Sequence, residues 1–349
     1  MTKDTILTGI RCNDEPTLGN YIGAMLPIIQ MQRSMANDYK INMFVPDLHS
    51  FTTPINHDDL YANVLKGLAY YVAAGLDITQ QDTNIYRQSH VAAHSELTWI
   101  LDCFTYYGEM TRMTQFKEKA GDNQASVSVG LFNYPVLMAA DVLLYGAKWV
   151  PVGDDQTQHL EIMRDVALRM NHKFADVYPD GVFIVPEEVK KQQAFIKRDG
   201  GGRVRSLVDP TKKMSKSVKD PRGTILLSDD PAAAAKKVMS ATTDSVGVIN
   251  YDWENQPGIT NLLEILAQLT QRPQTEVTTE WTGRDKYGEL KKAVATVVSE
   301  FLEGFQAKYR AINQATLLAK LEADEAAMRI VANETLLRAQ RAVGLRPRV

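Results

Sequence analysis

The sequence predicts an α/β protein in which a parallel sheet, covered by helices on both faces, is followed by a helical C-terminal half. Two observations lead to this prediction. Short apolar runs alternate with longer helical patterns over the first two-thirds of the chain, and mainly helical patterns follow after about residue 220. Such alternation is typical of parallel sheets whose strands are connected by helices.

The individual elements follow from the spacing of apolar residues. The predicted strands are TILTGI (5–10), INMFVPDLHS (41–50), NIYRQS (84–89) and KWVPV (148–152). The predicted helices cover 18–35, 59–76, 94–108, the apolar stretch around 141, and then 230–241, 258–270, 286–312 and 317–343. Residues 190–205 carry six Lys/Arg against one Asp and three consecutive glycines, so we expect an exposed basic loop there.

The composition narrows the class of protein. The chain has 349 residues, is 44% hydrophobic and has a formal net charge of −3, so any nucleic-acid surface must be a local basic patch. Two cysteines, Cys12 and Cys103, predict neither a disulfide framework nor a zinc site. No signal-peptide pattern and no apolar run of membrane-spanning length is present, so we expect a cytoplasmic protein without membrane contact.

One candidate site lies in residues 9–24, GIRCNDEPTLGNYIGA, where a predicted strand ends and a helix begins near Thr17. The first turn of a helix has unpaired N–H groups and the positive end of the helix dipole, so it attracts phosphate. Gly19 would let a planar base or a phosphate approach the backbone closely. The alternative is an ordinary helix start that is capped by Thr17 or Asn20.

A second candidate site is the segment KKMSKS, residues 212–217, between Pro210 and Pro221. Lysine carries a point charge on a flexible stem and can follow a phosphate that moves during a reaction, and serine hydroxyls add donors. On charge alone, a solvated surface would be the preferred interpretation. Lys117, in the charged stretch GEMTRMTQFKEKAG, is a further candidate for contact with a nucleotide.

Asp141 is a third candidate because it lies within a strongly apolar helical pattern. A carboxylate in such a place is costly unless hydrogen-bond donors satisfy it. It is either a buried structural acceptor or an acceptor for a ligand N–H deep in an apolar pocket. The segment from Gly153 to Gln156 opens the next helix, where its polar side chains could receive an amino group and ribose hydroxyls or simply cap the helix.

Together and in this order, these segments resemble the class I aminoacyl-tRNA synthetases, and within them the bacterial-type tryptophanyl-tRNA synthetase family. PTLGNYIGA looks like a degenerate form of the first class I signature, and KMSKS (213–217) matches the second in full. Further similar segments are MTQFKEK, YPVLMAADVLLY, VPVGDDQTQHLEIMRDVALRMN, TDSVGVINYD, PGITNLL and AVGLRPR. The resemblance therefore covers essentially the whole chain.

The resemblance implies an activity and a domain arrangement. Tryptophan would react with ATP, with Mg²⁺ as the cofactor, to give tryptophanyl-adenylate and pyrophosphate, and the tryptophanyl group would then pass to the 3′-terminal adenosine of tRNA(Trp). A Rossmann-like catalytic domain would span 1–219 and include the KMSKS loop. A helical, anticodon-binding region would span 220–349, and its last helix could pack back on the catalytic domain. The resemblance also implies a symmetric homodimer.

The resemblance further implies roles for individual residues. Lys213, Lys216 and Ser217 would grip the departing pyrophosphate, and Lys117 would assist. The residues implied to bind ATP are Arg11, Thr17, Gly19, Asn20, Gly153, Asp155, Met214 and Ser215. The residues implied to surround tryptophan are Leu7, Gly9, His49, Tyr134, Met138, Asp141, Val150, Val152 and Gln156. Within this set, Asp141 would accept the indole N–H, and no protein ligand to a metal is implied.

Residues 12–14 depart from the family pattern, since Cys-Asn-Asp stands where Pro-Ser/Thr-Gly is usual. The change adds negative charge near the expected triphosphate. A tyrosyl-tRNA synthetase is a weaker alternative because its middle blocks differ from MAADVLLY and GDDQTQH. A paralogue that binds tRNA or nucleotide without activating an amino acid would fit the altered loop but not the intact KMSKS. A generic nucleotide-dependent transferase would not explain the helical half.

Overall fold

The structure is a computed structural model, and it describes residues 3–10, 12, 15–52, 55–114, 127–153, 156–195, 204–215 and 220–348. The predicted α/β fold is confirmed, because helices surround a parallel three-stranded sheet and continue through the C-terminal third. None of the helices in these ranges combines the length and the apolar character that a membrane crossing requires.

The sheet consists of β1 (Thr5–Gly9), β2 (Lys40–Val45) and β3 (Thr83–Arg87), in the order β1-β2-β3. Both neighbouring pairs are parallel. After Lys40, every residue of β2 is buried, as expected for a strand that is covered on both faces. The carboxyl ends of all three strands lie at the same edge of the sheet, which is where ligands bind in folds of this class.

Helices connect the strands as predicted. In the first two-thirds of the chain they are α1 (Leu18–Asn20), α2 (Leu26–Met35), α3 (Leu60–Ala74), α4 (Ala93–Asp102), α5 (Tyr107–Met110), α6 (Val129–Leu143), α7 (Thr157–Lys173) and α8 (Val189–Phe195). In the last third they are α9 (Pro231–Met239), α10 (Pro257–Thr270), α11 (Gln274–Trp281), α12 (Tyr287–Arg310) and α13 (Gln314–Ala342). A π-helical stretch, Tyr21–Met25, joins α1 to α2.

The sequence predicts four helices after residue 220, and these match α9, α10, α12 and α13. It does not predict the fifth, α11. The sequence of α11, QTEVTTEW, contains three threonines and a valine. These β-branched side chains lose rotamer freedom in a helix and lower its intrinsic stability. The buried Val277 and Trp281 hold this helix on the core instead.

The segment 148–152, predicted as a strand, forms an isolated parallel bridge between Trp149 and β1. Regular pairing ends there for two reasons. The N–H of Val150 donates to the side-chain oxygen of Gln192 at 2.9 Å, and Pro151 has no N–H to donate. The segment nevertheless runs beside β1 and therefore extends the same edge of the sheet.

The prediction of an exposed basic loop over 190–205 is wrong for its first part, because residues up to Phe195 belong to α8. Gln192 on this helix is buried and donates a hydrogen bond to a backbone carbonyl of the segment beside β1, at 2.7 Å. The ring of Phe195 stacks on Trp149 with centroids 4.0 Å apart. The remaining residues 196–203 lie outside the described ranges.

The last helix, α13, lies along β3 at the outer edge of the sheet. Asp324 accepts a hydrogen bond from the N–H of Ile85 at 2.7 Å, and Glu325 accepts one from the N–H of Arg87 at 3.2 Å. The Arg87 guanidinium also donates to both oxygens of Glu325, at 2.5 and 2.9 Å, and both side chains are buried. This bidentate ion pair restricts the helix to one position on the sheet.

Two clusters of buried apolar side chains form the core. One combines residues of β1 and β2, such as Ile6, with residues of α10 and α12, such as Leu262. The other combines Leu7 and Tyr86 with residues of α6, α7 and α13, such as Ala332. Because both clusters include side chains from before and after residue 220, the C-terminal helices complete the hydrophobic core of the sheet.

Candidate active site

Side chains at the carboxyl ends of β2 and β3 are hydrogen-bonded to each other. Asp47, two residues after β2, accepts hydrogen bonds from the N–H of Ser89, at 2.8 Å, and from its hydroxyl. Gln88, directly after β3, accepts a hydrogen bond from the N–H of Leu48 at 3.2 Å. These contacts fix a polar edge at the position where parallel sheets bind ligands.

The carboxylate of Asp141, on α6, meets this polar edge. Its Oδ1 accepts hydrogen bonds from the amide of Gln88 and from Nδ1 of His94, both at 2.6 Å. Its Oδ2 is 2.8 Å from Nε2 of His49. The other ring nitrogen of His94 is 2.8 Å from the hydroxyl of Tyr145. The carboxylate is fully buried, and these three donors offset the cost of removing it from water.

The hydrogen bonds keep Asp141 ionised. Burial by itself would raise the pKa of this carboxyl, but the hydrogen bonds and charges of His49 and His94 outweigh burial and hold the pKa at about 2. An ionised carboxylate only accepts hydrogen bonds, and it has about four lone-pair positions. The described residues supply three donors, so one of these positions, on Oδ2, remains for a further donor.

Aromatic rings adjoin the Oδ2 atom of this carboxylate. The side chain of His49 is 18% exposed, whereas that of Asp141 is 0% exposed. The His49 ring meets the ring of Tyr134 nearly perpendicularly, with centroids 6.2 Å apart. The hydroxyl of Tyr134 is in turn 2.9 Å from Nε2 of His159. The ring of His49 is therefore hydrogen-bonded to Oδ2 and partly exposed to solvent.

Several residues of the predicted apolar pocket share a helix face or a hydrophobic cluster. Tyr134, Met138 and Asp141 lie on one face of α6 because they are four and three residues apart. Leu7 and Val150 are buried in the same hydrophobic cluster. Met138 and Val152 are partly buried and pack against that cluster, and Gly9 is exposed at the end of β1.

The predicted nucleotide site is built on the start of α1. The hydroxyl of Thr17 accepts a hydrogen bond from the N–H of Asn20 at 3.1 Å, and the side chain of Asn20 accepts one from the N–H of Thr17 at 2.9 Å. This reciprocal arrangement is a capping box. The side chains of Thr17 and Asn20 therefore cap the helix, as the alternative interpretation of this segment predicts. The N–H of Gly19, in the first turn, does not take part in this capping box.

The described part of the KMSKS segment packs on this helix start. A Cβ at Gly19 would lie 3.3 Å from Cβ of Met214, so the absence of a side chain allows the two segments to touch. Lys213 is exposed and forms an antiparallel bridge with Arg205. The carbonyl of Ser215 accepts a hydrogen bond from a threonine hydroxyl at 2.9 Å. The two segments that match the class I signatures are thus neighbours in space.

The predicted helix start after Gly153 is confirmed. Gln156 is the N-cap of α7, and its N–H donates to the carbonyl of Gly153 at 2.9 Å. This helix start lies directly after the segment beside β1 and therefore at the same edge of the sheet. Five predicted site residues lie outside the part of the chain that the structure describes: Arg11, Lys117, Asp155, Lys216 and Ser217.

Cys12 belongs to the segment that departs from the family pattern, and it is a core residue. Its side chain is buried against α3, where a Cβ at Gly67 would lie 2.4 Å from Cβ of Cys12. Burial, together with the charge of Asp47, raises the pKa of the thiol. The thiol is therefore neutral near physiological pH and adds no charge to the site.

Sequence reasoning missed three residues of the Asp141 network, namely Gln88, His94 and Tyr145. Gln88 ends a predicted strand, and polar residues at strand ends are the first candidates for chemistry in such a sheet. His94 and Tyr145 carry no comparable signal, because His94 only begins a predicted helix and Tyr145 lies at the end of an apolar helical pattern. Their importance follows from hydrogen bonds that the fold alone creates.

Known proteins resemble this chain in fold and in sequence over nearly its whole length. The family model described as tRNA synthetases class I (W and Y) matches residues 2–303. The tryptophan–tRNA ligase of Caldanaerobacter subterraneus subsp. tengcongensis is 43% identical over 97% of this chain and 98% of its own length. The crystal structure of tryptophanyl-tRNA synthetase from Mycoplasma pneumoniae has a TM-score of 0.79 at 34% identity and covers 99% of both chains.

A second solved structure that resembles this chain contains bound ligands. It is the tryptophanyl-tRNA synthetase from Campylobacter jejuni complexed with ADP and tryptophan, with a TM-score of 0.76 at 29% identity over 97% of this chain and 99% of that one. The similarity extends through the sheet, the KMSKS segment and the C-terminal helices. The chain therefore belongs to the class I tRNA synthetases for tryptophan and tyrosine, among the tryptophan–tRNA ligases.

Proposed function

We propose that this chain activates tryptophan with magnesium ATP to form tryptophanyl-adenylate and pyrophosphate, and then transfers the tryptophanyl group to the 3′-terminal adenosine of tRNA(Trp). The observation that carries the proposal is the fully buried carboxylate of Asp141, whose Oδ1 accepts two hydrogen bonds and whose Oδ2 accepts one from the residues that the structure describes. A second observation supports it, since the helix start at Gly19 and the KMSKS segment are in contact near the same sheet edge.

The activation step requires positioning and charge rather than a protein nucleophile. A carboxylate oxygen of tryptophan attacks the α-phosphorus of ATP, the bond from that phosphorus to the bridging oxygen breaks, and pyrophosphate leaves. The chain must hold the two reactants in line and stabilise the growing charge on pyrophosphate. Lys213, Lys216 and Ser217 are proposed to do this, and Lys117 to assist.

Tryptophan recognition is assigned to the residues around Asp141. Its Oδ2 would accept the indole N–H, and His49 would lie beside the ring. The apolar walls of the indole slot are proposed to be Leu7, Gly9, Met138, Val150 and Val152. Tyr134 and Gln156 would face the amino group of the substrate. A competing amino acid without an N–H at this position would leave Oδ2 of the buried carboxylate without a hydrogen-bond donor. Its binding free energy would then be much less favourable.

ATP binding is assigned to the helix start, the KMSKS segment and the start of α7. The residues proposed to contact the nucleotide are Arg11, Thr17, Gly19, Asn20, Gly153, Asp155, Met214 and Ser215. Magnesium usually binds through phosphate oxygens and water in such sites, so we treat it as part of the substrate. The lysines would then supply the remaining positive charge.

The proposal extends to the domains of the enzyme, its oligomeric state and its location in the cell. The helical region 220–349 would meet the anticodon of tRNA(Trp), and residues 1–219 would form the catalytic domain. A homodimer could cover exposed apolar side chains such as Trp99, Tyr107 and Val129, which are 71%, 76% and 80% exposed. The reaction serves protein synthesis, so we place the enzyme in the cytoplasm.

The test is amino-acid-dependent exchange of labelled pyrophosphate into ATP, with tryptophan and with tyrosine in parallel. We expect exchange with tryptophan and at most a trace with tyrosine. Exchange with tyrosine at a similar rate would overturn the assignment of Asp141, and no exchange with either in folded protein with magnesium would overturn the activity. Charging of tRNA(Trp) with labelled tryptophan then tests the second step.

A further inference from the structure

We propose that Gln88 and His94 are positioning residues for recognition of the indole N–H, because they occupy Oδ1 of Asp141 and leave Oδ2 to receive the substrate. This inference rests on the proposed function and extends it to two residues that have no role in it so far. Neither residue would touch tryptophan, and both would act through the orientation of one carboxylate.

The first step of the argument is the occupation of Oδ1. A carboxylate oxygen has about two lone-pair positions. At Oδ1 of Asp141 both are filled, by the Gln88 amide and by Nδ1 of His94, each at 2.6 Å. Such short distances are typical of hydrogen bonds to an ionised acceptor. Among the described residues, Oδ2 accepts one hydrogen bond, from His49 at 2.8 Å, so one of its two lone-pair positions remains for the substrate.

The second step is that both donors are themselves fixed. Gln88 and His94 are 0% exposed, so neither side chain can turn towards solvent. The carbonyl oxygen of the Gln88 amide accepts from the N–H of Leu48 at 3.2 Å, which determines which end of the amide faces Asp141. Nε2 of His94 is 2.8 Å from the hydroxyl of Tyr145, and this contact fixes the ring with Nδ1 turned towards Oδ1 of Asp141.

The consequence concerns specificity rather than affinity in general. Two fixed donors on one oxygen prevent the carboxylate from rotating, so Oδ2 points in one direction. A buried acceptor held in this way rewards a substrate with a donor at the matching position and penalises one without it. If either donor is lost, the carboxylate can rotate, and the preference for an indole N–H should fall.

The experiment measures that preference directly. The two substrates are tryptophan and its isostere in which sulfur replaces the indole N–H. The readout is the ratio of their kcat/KM values in pyrophosphate exchange, because a general loss of stability or ATP binding cancels in the ratio. The variants are Gln88→Met and His94→Leu, which remove a donor, and His94→Asn, whose amide can restore a donor near the position of Nδ1.

A matched control tests for the loss of any buried amide. Gln32 is also buried, and its amide bonds to the carbonyl of Asp77 at 2.7 Å and to Thr83, away from Asp141. Gln32→Met should therefore leave the ratio unchanged. We expect the ratio to fall about tenfold in Gln88→Met and His94→Leu, which corresponds to about 1.4 kcal/mol, and to recover in part in His94→Asn.

Three results would be decisive. Equal losses of kcat/KM for both substrates, with an unchanged ratio, would mean that Gln88 and His94 are structural only and would overturn the inference. If the donor variants do not fold, Tyr145→Phe removes just the hydroxyl that orients His94, and an unchanged ratio there would overturn it too. A wild-type chain that activates neither substrate would overturn the proposed function itself, which is a distinguishable outcome.

Discussion

The two ends of the candidate site are built on opposite principles. At the indole end, Asp141 is fully buried and receives three hydrogen bonds of 2.6 to 2.8 Å. At the phosphate end, Lys213 is exposed and its segment is fixed through its neighbours, because Met214 packs on Gly19. One end is a prearranged acceptor, and the other is a positive charge that can follow its target.

The difference matches what the two ends would have to do. An indole ring keeps its shape throughout activation, so a fixed acceptor can test it in the ground state. Pyrophosphate moves away during the reaction, and a charge that follows it stabilises the transition state more than the substrate. The comparison therefore assigns specificity to the indole end and rate to the phosphate end, and each assignment can be tested separately.

The largest effect is expected at the phosphate end. Replacing Lys213 and Lys216 together by alanine should lower the single-turnover rate of adenylate formation by about 10³-fold, because the loss of one donor to a charge that develops in the transition state typically costs about 10²- to 10³-fold. Tryptophan affinity, measured by equilibrium dialysis, should change little. A parallel fall of rate and affinity would contradict the separation of the two ends.

Lys212 provides a matched control for this variant. It is the exposed neighbour of Lys213, and its ammonium is 2.8 Å from the carboxylate of Asp209. Exposed pairs of this kind contribute little to stability. Lys212→Ala should therefore keep nearly the full rate. An equal loss in Lys212→Ala would indicate that the segment acts through its total charge.

A smaller effect is expected at the indole end. Asp141→Asn should lower kcat/KM for tryptophan by about 100-fold, because a neutral amide is a weaker acceptor than a charged carboxylate. The preference for tryptophan over tyrosine, measured by pyrophosphate exchange, should fall with it. The control is Asp102→Asn, which changes a partly buried carboxyl outside the candidate site that accepts a hydrogen bond from Asn133 at 3.0 Å. An unchanged preference would remove Asp141 from recognition.

The contact between the two signature segments predicts a still smaller effect, on the KM for ATP. Gly19→Ala would place a Cβ 3.3 Å from Cβ of Met214 and push the KMSKS segment away from the helix start. We expect KM for ATP to rise by about tenfold or less, with tryptophan affinity unchanged. Gly23→Ala adds a Cβ that meets nothing within 4 Å, so its kinetics should equal those of the wild type. Similar kinetics in both variants would argue against the contact.

The last prediction concerns stability at low pH rather than catalysis. The pKa of Asp141 is about 2 in the folded chain and about 3.9 in an unfolded one, so the ionised form stabilises the fold fully above pH 4 and this effect is lost as the pH falls through 2. Thermal unfolding followed by circular dichroism at pH 4, 3 and 2 should show the wild type losing its advantage over Asp141→Asn. A constant difference in Tm across these values would contradict the ionised state.

The sequence identifies candidate residues whose type is unusual for their local pattern. It does not identify the distant residues that folding brings into hydrogen-bond contact with them. Asp141 is conspicuous because a carboxylate interrupts an apolar helical pattern. Its three donors are 53, 47 and 92 positions away in the chain, so no local pattern reports them. The same holds for the phosphate end, where Gly19 and Met214 meet through the fold.

Errors in element prediction have the same origin. Residues 190–195 look like the start of a basic loop, because lysine and glutamine dominate their composition. Tertiary contacts override that tendency, since Gln192 supplies hydrogen bonds that the segment beside β1 cannot obtain from another strand. Helix α11 is the converse case, in which buried Val277 and Trp281 stabilise a threonine-rich sequence.

The carboxylates of α13 also bear on the behaviour of incomplete chains. An open strand edge is a template on which strands of other molecules can assemble. Asp324 and Glu325 accept the amide hydrogens of Ile85 and Arg87, which a strand of another molecule would otherwise pair with. Chains released before this helix has been synthesised, or cleaved ahead of it, would expose that edge and aggregate. The last helix thus protects the solubility of the catalytic half as well as completing its core.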